Sequence, residues 1–255
     1  CSVFILLQNG VYIDDISLPN LKVKKLYIKW DKKINITADE IKILQQNNKK
    51  SLKKIDIQKI NSYFKKAILF NTWFEKIIIN HIVFNDIDAS FKYIDGKKGF
   101  LNISSPNFLL KSSLFFESKL LNIQLDNFYS YKQNINIKGN IILDIYNLEL
   151  ISSLKTSINN NAFLDIYLIA NKNKLFYKIV SDKKIKSIIP IVDMFKLDKD
   201  IRYWLVDAMD VKDISLRYVY GWLDYKHIDQ TYKHIYAKAI LNKLNYTYDT
   251  KLDNI

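Results

Sequence analysis

Apolar and polar residues alternate with a period of two along most of this chain. Across residues 133–146, Ile135, Ile137, Ile141, Leu143 and Ile145 fall on one side, while Asn134, Asn136, Lys138, Asn140 and Asp144 fall on the other. Only Ile142 breaks the pattern. Such a period places alternate side chains on opposite faces of a strand. Residues 21–30 repeat it: Leu26, Ile28 and Trp30 share a face, with Tyr27 and Lys29 opposite. After a turn at Asp31-Lys32-Lys33, Ile34, Ile36 and Ala38 resume the alternation. Ile41 and Ile43 continue it after a slip at Asp39-Glu40, and together these runs predict a hairpin. Further strands are predicted over residues 77–85, 89–94, 99–103, 108–117, 119–128, 133–145, 162–170 and 174–180, and a last pair over 227–241 and 244–248. Asp95-Gly96 and Asn171-Lys172-Asn173 supply hairpin turns. Residues 12–19 read as a connector, and residues 148–154 as a helical turn between strands.

Three segments follow the helical period instead. In residues 56–74, Ile57, Ile60, Phe64, Ala67, Ile68 and Asn71 form one stripe, widened by Tyr63 and Phe70. This predicts a helix packed across one end of a sheet, with a membrane-surface helix as the sharper alternative. Residues 183–195 predict a second helix, interrupted at Pro190. Residues 200–209 predict a third, capped by Asp200, with Ile201, Trp204, Leu205 and Ala208 on one face. After Asp213 the period returns to two. Ile214, Leu216, Tyr218, Tyr220 and Trp222 then point one way, and Ser215, Arg217, Val219 and Gly221 the other.

Composition narrows the chemistry. With 5 Gly and 3 Pro, most turns fall to Asn and Asp. The net charge of +13 fits an anionic partner, nucleic acid or membrane. Yet Lys greatly outnumbers Arg, and only Arg202 and Arg217 are present, so a solvated Lys-rich exterior is the preferred reading over a nucleic-acid surface. The aromatics join the apolar face, Trp30 beside Ile28, and Tyr220 and Trp222 beside Leu216. A single Cys1 excludes an internal disulfide and a thiolate zinc site. No Gly-rich phosphate loop and no nucleophile elbow occurs. His227, with Asp224 and Asp229 nearby, is the closest approach to a metal or acid–base cluster, though a solvated polar surface is the preferred reading; His234, seven positions on, points to the opposite face if the strand runs unbroken. Asn85, Asp86 and Asp88 would need further oxygens to hold calcium. No catalytic residue, metal or cofactor is therefore assigned.

A one-sided apolar sheet must bury that face, because wet apolar surface costs about 25 cal/mol per Å². The three helical segments are too short to cover ten or more strands. The fold expected is mainly β with a few helices: an elongated, curled antiparallel sheet, a β-groove, with helices at its edge or end. Such an apolar groove suits acyl chains. Cys1 to Leu7, within a leading segment of residues 1–10, reads as the end of a membrane anchor, with a lipid-modified start or a first strand as alternatives. Residues 11–255 read as one groove domain with helical insertions near 56–74 and 183–209, cut within the sheet at its C-terminus.

Three parts of the chain resemble the amino-terminal region of the AsmA-like superfamily, in particular its YhdP/TamB-type bridge-like lipid transfer members. The first is the apolar stub with residues 16–43, ISLPNLKVKKLYIKWDKKINITADEIKI. The second is residues 198–224, where Trp204, Leu205, Ala208, Gly221 and Leu223 carry the family's pattern. The third is residues 235–255, IYAKAILNKLNYTYDTKLDNI. The resemblance implies a Gram-negative inner-membrane anchor and a periplasmic β-groove that carries phospholipid between the inner and outer membranes. The implied partners are phospholipid, the inner membrane and other envelope proteins, not nucleic acid. The groove lining expected is Leu26, Ile28, Trp30, Ile137, Ile141, Leu143, Leu216, Tyr218, Tyr220 and Trp222. A structural β domain of the envelope is the alternative, and a basic nucleic-acid module the lesser one.

Overall fold

The computed structural model describes residues 2–44, 72–117, 119–144, 146–193, 199–227, 230 and 233–246. The chain is β-rich: among the described residues 15 strands form one mixed sheet, with neighbours in chain order except at its far end. Its contacts divide into two compact units, Cys1–Tyr131 with Lys138–Ile151, and Lys132–Ile137 with Ser152–Ile255.

In the first unit, α1 (Ser2–Asn9) leads into β1 (Val11–Leu18). Among the described residues no helix is long and apolar enough to cross a membrane. Gly10 makes the corner: its φ is +90°, and a Cβ there would collide with the Tyr27 ring. The expected connector at 12–19 is thus a strand. Its apolar positions Ile13 and Ile16 lie three apart, which hides the alternation. β2 (Leu21–Trp30) and β3 (Ile34–Ile43) form the predicted hairpin. β4 (Phe74–Phe84) then pairs with β3 in parallel. A parallel pair needs a long return connection, and the predicted helix of residues 56–74 falls in it. That helix lies outside the described residues except at its end, where Phe74 already belongs to β4. The all-antiparallel expectation is corrected at this pair. β5 (Ile87–Ile94), β6 (Lys98–Ser104), β7 (Phe108–Glu117) and β8 (Leu120–Ser130) continue as antiparallel neighbours. Asp95 and Gly96 have positive φ in the predicted turn between β5 and β6.

β9 (Ile135–Asp144) and β10 (Glu149–Ile158) follow. β10 corrects the helical turn expected at 148–154. Its buried positions include Ser152 and Thr156, so polar residues stand where an apolar signal would betray a strand.

In the second unit, β11 (Ala162–Ala170) and β12 (Lys174–Ser181) flank the predicted Asn171 turn. The Asn171 side chain accepts hydrogen bonds from the Asn173 and Lys174 amides, each 2.9 Å. The helix expected over 183–195 is mostly absent. Ile185–Ser187 instead forms β13, paired to β14, and only Ile189–Val192 is helical, as α2. Pro190 stands in the first turn, where a missing N–H costs nothing, and so opens that helix rather than interrupting it. The third helix is α3 (Lys199–Arg202) followed by a π-helical turn at Tyr203–Ala208. Asp200 lies inside α3, not at its cap. β14 (Met209–Asp224) begins before the expected Ile214, and Asp213, with φ +55°, marks the interruption the sequence shows there. β15 (Ile235–Tyr246) pairs along β14. An aliphatic core gathers Ile158, Ala162, Leu164, Ile185 and Ile214, with Ile166, Ile179, Ile188, Ile191 and Leu216 packed around it.

Candidate functional site

The first unit presents apolar rows that run across its strands. One row follows the register Val11, Ile28, Ile36, Ile77, Tyr93, Gly99, Leu114 and Ile123, from β1 to β8. A second follows Ile16, Val23, Ile41, Ile82, Ala89, Ile103, Leu110 and Phe128. Leu26 and Trp30 lie on the same face of β2 as Ile28, with Trp30 paired to Ile34. Leu143 packs with Leu121 among Leu114, Phe116 and Ile123, which places it and Ile141, two residues away, on this face. Few of these side chains are sealed. Leu26, Ile28, Trp30 and Ile141 are half-buried, and Leu143 is buried. Ile137 belongs to the second unit and is half-buried there.

Between the two rows, each of the first four strands carries two successive polar residues that both avoid the apolar face. They are Asp14-Asp15, Lys24-Lys25, Asp39-Glu40 and Asn80-His81. β5 has Ser90 alone at this level, and the register between β4 and β5 shifts between Ile79 and Ile82. The slip read at Asp39-Glu40 is one member of this seam. Lys25 adopts φ +51° to make the extra step. Charges alternate along the seam. Lys24 Nζ lies 2.8 Å from Glu40 Oε1, and Lys25 Nζ 3.7 Å from Asp39. Asn80 donates to Asp39 Oδ1 at 3.2 Å, and His81 Nδ1 lies 3.2 Å from Asp88 Oδ2. The hydrogen bond from Lys24 holds the Glu40 carboxyl below its usual range, and that from Asn80, helped by Lys25, does the same for Asp39.

A cleft of about 420 Å³ opens along β6 to β9. Its exposed apolar lining is Phe100, Phe115 and Ile142, joined by Gln124 and Asn140. Phe100 pairs with Ser113, one position out of phase with the Gly99–Leu114 pair, so this lining stands on the face opposite the apolar rows. The sequence reading missed it. Its one signal was Ile142, the residue that breaks the alternation of β9.

In the second unit β14 changes face. Its register with β15 shifts between Leu216 and Tyr218. Leu216 packs in the aliphatic core together with Ile179, yet Ile179 pairs with Val219. Val219 therefore shares the core side, and Tyr218, Tyr220 and Trp222 stand on the opposite side. The expectation that Ile214 through Trp222 point one way is corrected, because the bulge adds a residue between Leu216 and Val219. On that opposite side the Tyr220 and Tyr236 rings stack at 5.1 Å, and Trp222 stacks on His234 at 4.2 Å.

Of the acids noted beside His227, Asp224 is its neighbour in the structure. His227 lies in the turn after β14, with Nδ1 3.9 Å from Asp224 Oδ1, and His234 precedes β15; Asp229 is outside the described residues. A cavity of about 190 Å³ lies among Lys174, Trp222, Asp224, His227, Gln230 and His234. The Lys226 amide, with His227 and Lys174 nearby, holds the Asp224 carboxyl below its usual range. Among the described residues no three His, Cys, Asp or Glu side chains converge to hold a metal.

No family model, curated protein or solved structure matches this chain. Function must be read from the geometry, in which the apolar rows of the first unit are the most extensive feature.

Proposed function

We propose that this chain is a non-enzymatic, lipid-handling part of an AsmA-like protein, anchored in the Gram-negative inner membrane with its bulk in the periplasm. In this reading, phospholipid acyl chains lie along the apolar face of the sheet, which acts as a β-groove for passage between the inner and outer membranes. The observation that carries it is the pair of apolar rows. Eight strands span seven spacings of roughly 4.8 Å, or about 34 Å. That compares with about 30 Å for the hydrocarbon core of a bilayer, which holds two acyl layers end to end. The face is mostly aliphatic and most of its side chains are half-buried, so a chain laid on it removes further apolar area from water at about 25 cal/mol per Å². The polar side chain in the rows, Tyr93, has no exposure, so no polar group fixes the ligand, which fits acyl chains of varied length.

Photo-crosslinkers at Ile28 and Ile141 should capture phospholipid, and those at Lys29 and Asn140 should not. Equal capture from both faces, or none from any, would sink the proposal. Leu216 sits inside the aliphatic core of the second unit, so a crosslinker there should stay unlabelled. That filled core favours a second reading, an envelope interaction domain whose apolar surface is covered by its own side chains or by a protein. Native mass spectrometry of the intact chain separates the two: bound phospholipid supports conduction, and a lipid-free chain supports the interaction domain.

A further inference from the structure

The second unit is apolar on both faces, but the two faces are made of different residues. The core side is mainly aliphatic, with buried Ser152 and Thr156 beside it. The other side carries Tyr167, Ile169, Phe176, Tyr220, Tyr236 and Ile240, each between 41% and 53% exposed. Register places them together. Ile169 pairs with Phe176 and Phe176 with Trp222, while Tyr167, Lys178, Tyr220 and Tyr236 form a row across β11, β12, β14 and β15. Exposed Lys178 and Lys238 interleave with the rings, Lys238 opposite Tyr218, and half-buried Lys174 stands at one end. The acids of this face, Asp165 and Asp224, lie at its margins, and Asp224 is already engaged by the Lys226 amide. A contiguous exposed apolar patch of this kind marks an interaction surface.

We infer that this aromatic–lysine face rests on an anionic membrane surface. The inference is separate from the acyl-chain reading of the first unit. Tyr and Trp with an apolar body and a polar tip, set among lysines, match the headgroup level of a bilayer. Lysine is depleted from the centre of protein–protein interfaces, whereas each lysine near an anionic leaflet adds attraction. Stacking of nucleobases is disfavoured by the geometry. Tyr220 and Tyr236 cover each other at an interplanar angle of 16°, and Trp222 and His234 at 18°, so each of these rings already has one π face occupied.

Vesicle co-sedimentation of the full chain tests this. Binding should be weak to phosphatidylcholine, stronger when phosphatidylglycerol is added, and reduced by salt. Replacing Lys178 and Lys238 by Gln should weaken binding to the anionic vesicles about thirtyfold. Tyr220→Ser with Tyr236→Ser should weaken it as well, with circular dichroism confirming the fold. Lys22→Gln with Lys29→Gln removes the same charge from exposed positions of the first unit and should leave binding unchanged. The K178Q/K238Q variant should also keep any phospholipid that co-purifies, which separates this surface from the groove. No vesicle binding would overturn the inference, as would equal binding to neutral vesicles or an equal loss in the Lys22/Lys29 variant. Tighter binding of a single-stranded oligonucleotide, or a dimer broken by the Tyr variants, would also overturn it.

Discussion

Tyr93 is the largest side chain with no exposure, set edge-on to Phe116 at 6.0 Å and paired across the sheet with Ile77 and Gly99. Burial pushes its phenol up to about 12. The unfolded phenol ionises near 10. Between those values the unfolded chain has lost a proton that the folded chain keeps, so stability is full below about pH 10 and falls as pH rises toward 12. The loss is at most on the order of 3 kcal/mol. Thermal melts from pH 9 to 12 should show this decline, and Tyr93→Phe should flatten it. An unchanged slope in the variant would mean that other groups govern alkaline unfolding. The acid side behaves oppositely: Asp39 and Glu40 are held low, so what they contribute is present above the ordinary carboxylate range and lost as pH falls through the lowered values. Both lie at the surface, where such pairs contribute little.

Within the elements, Gly221 is the tightest point of the β14–β15 pair. A Cβ there would collide with the His234 carbonyl and stand 2.8 Å from the Tyr177 hydroxyl. Gly221→Ala should therefore displace β15 and lower stability by about 1–3 kcal/mol, with amide exchange accelerated in β15 first. Retained protection there would show that the strand can shift at no cost. The alternation sets Gly221 on the face opposite Leu216, whereas the bulge at Arg217, which leaves no trace in the apolar pattern, brings it to the same side. The strands themselves were legible where one face is aliphatic throughout. β7 and β11 have the predicted ends. β10 was hidden by buried Ser152 and Thr156, and the parallel β3–β4 pair by distance, since local pattern says nothing of a partner beyond a long connection. The candidate site was legible to the same extent. Leu26, Ile28 and Trp30 read correctly as one face, while Tyr218, Tyr220 and Trp222 did not join Leu216.

Over the whole molecule, the +13 charge is less evenly spread than the lysine distribution implied. Acids and lysines pair at the seam of the first unit, whereas lysines stand among the rings of the second, so added salt should weaken vesicle binding without releasing acyl chains held by apolar contact. The seam also has a meaning in lattice terms. Four strands carry one residue more than β5 does at the same level, so an extra half-row of residues enters from β1 and stops between β4 and β5. A half-row that ends inside a lattice is an edge dislocation. Moving its end by one strand takes a one-residue change at that level alone, because the side chains beyond it keep their faces. Deletion of His81 should accordingly yield a folded chain, with the defect now ending between β3 and β4. Deletion of Asn102, in β6 where the register with both neighbours is unbroken, should turn part of β6 inside out and prevent folding. Soluble yield and cooperative melting of the two deletions would show whether insertions and deletions are tolerated at the dislocation and rejected elsewhere in the strands.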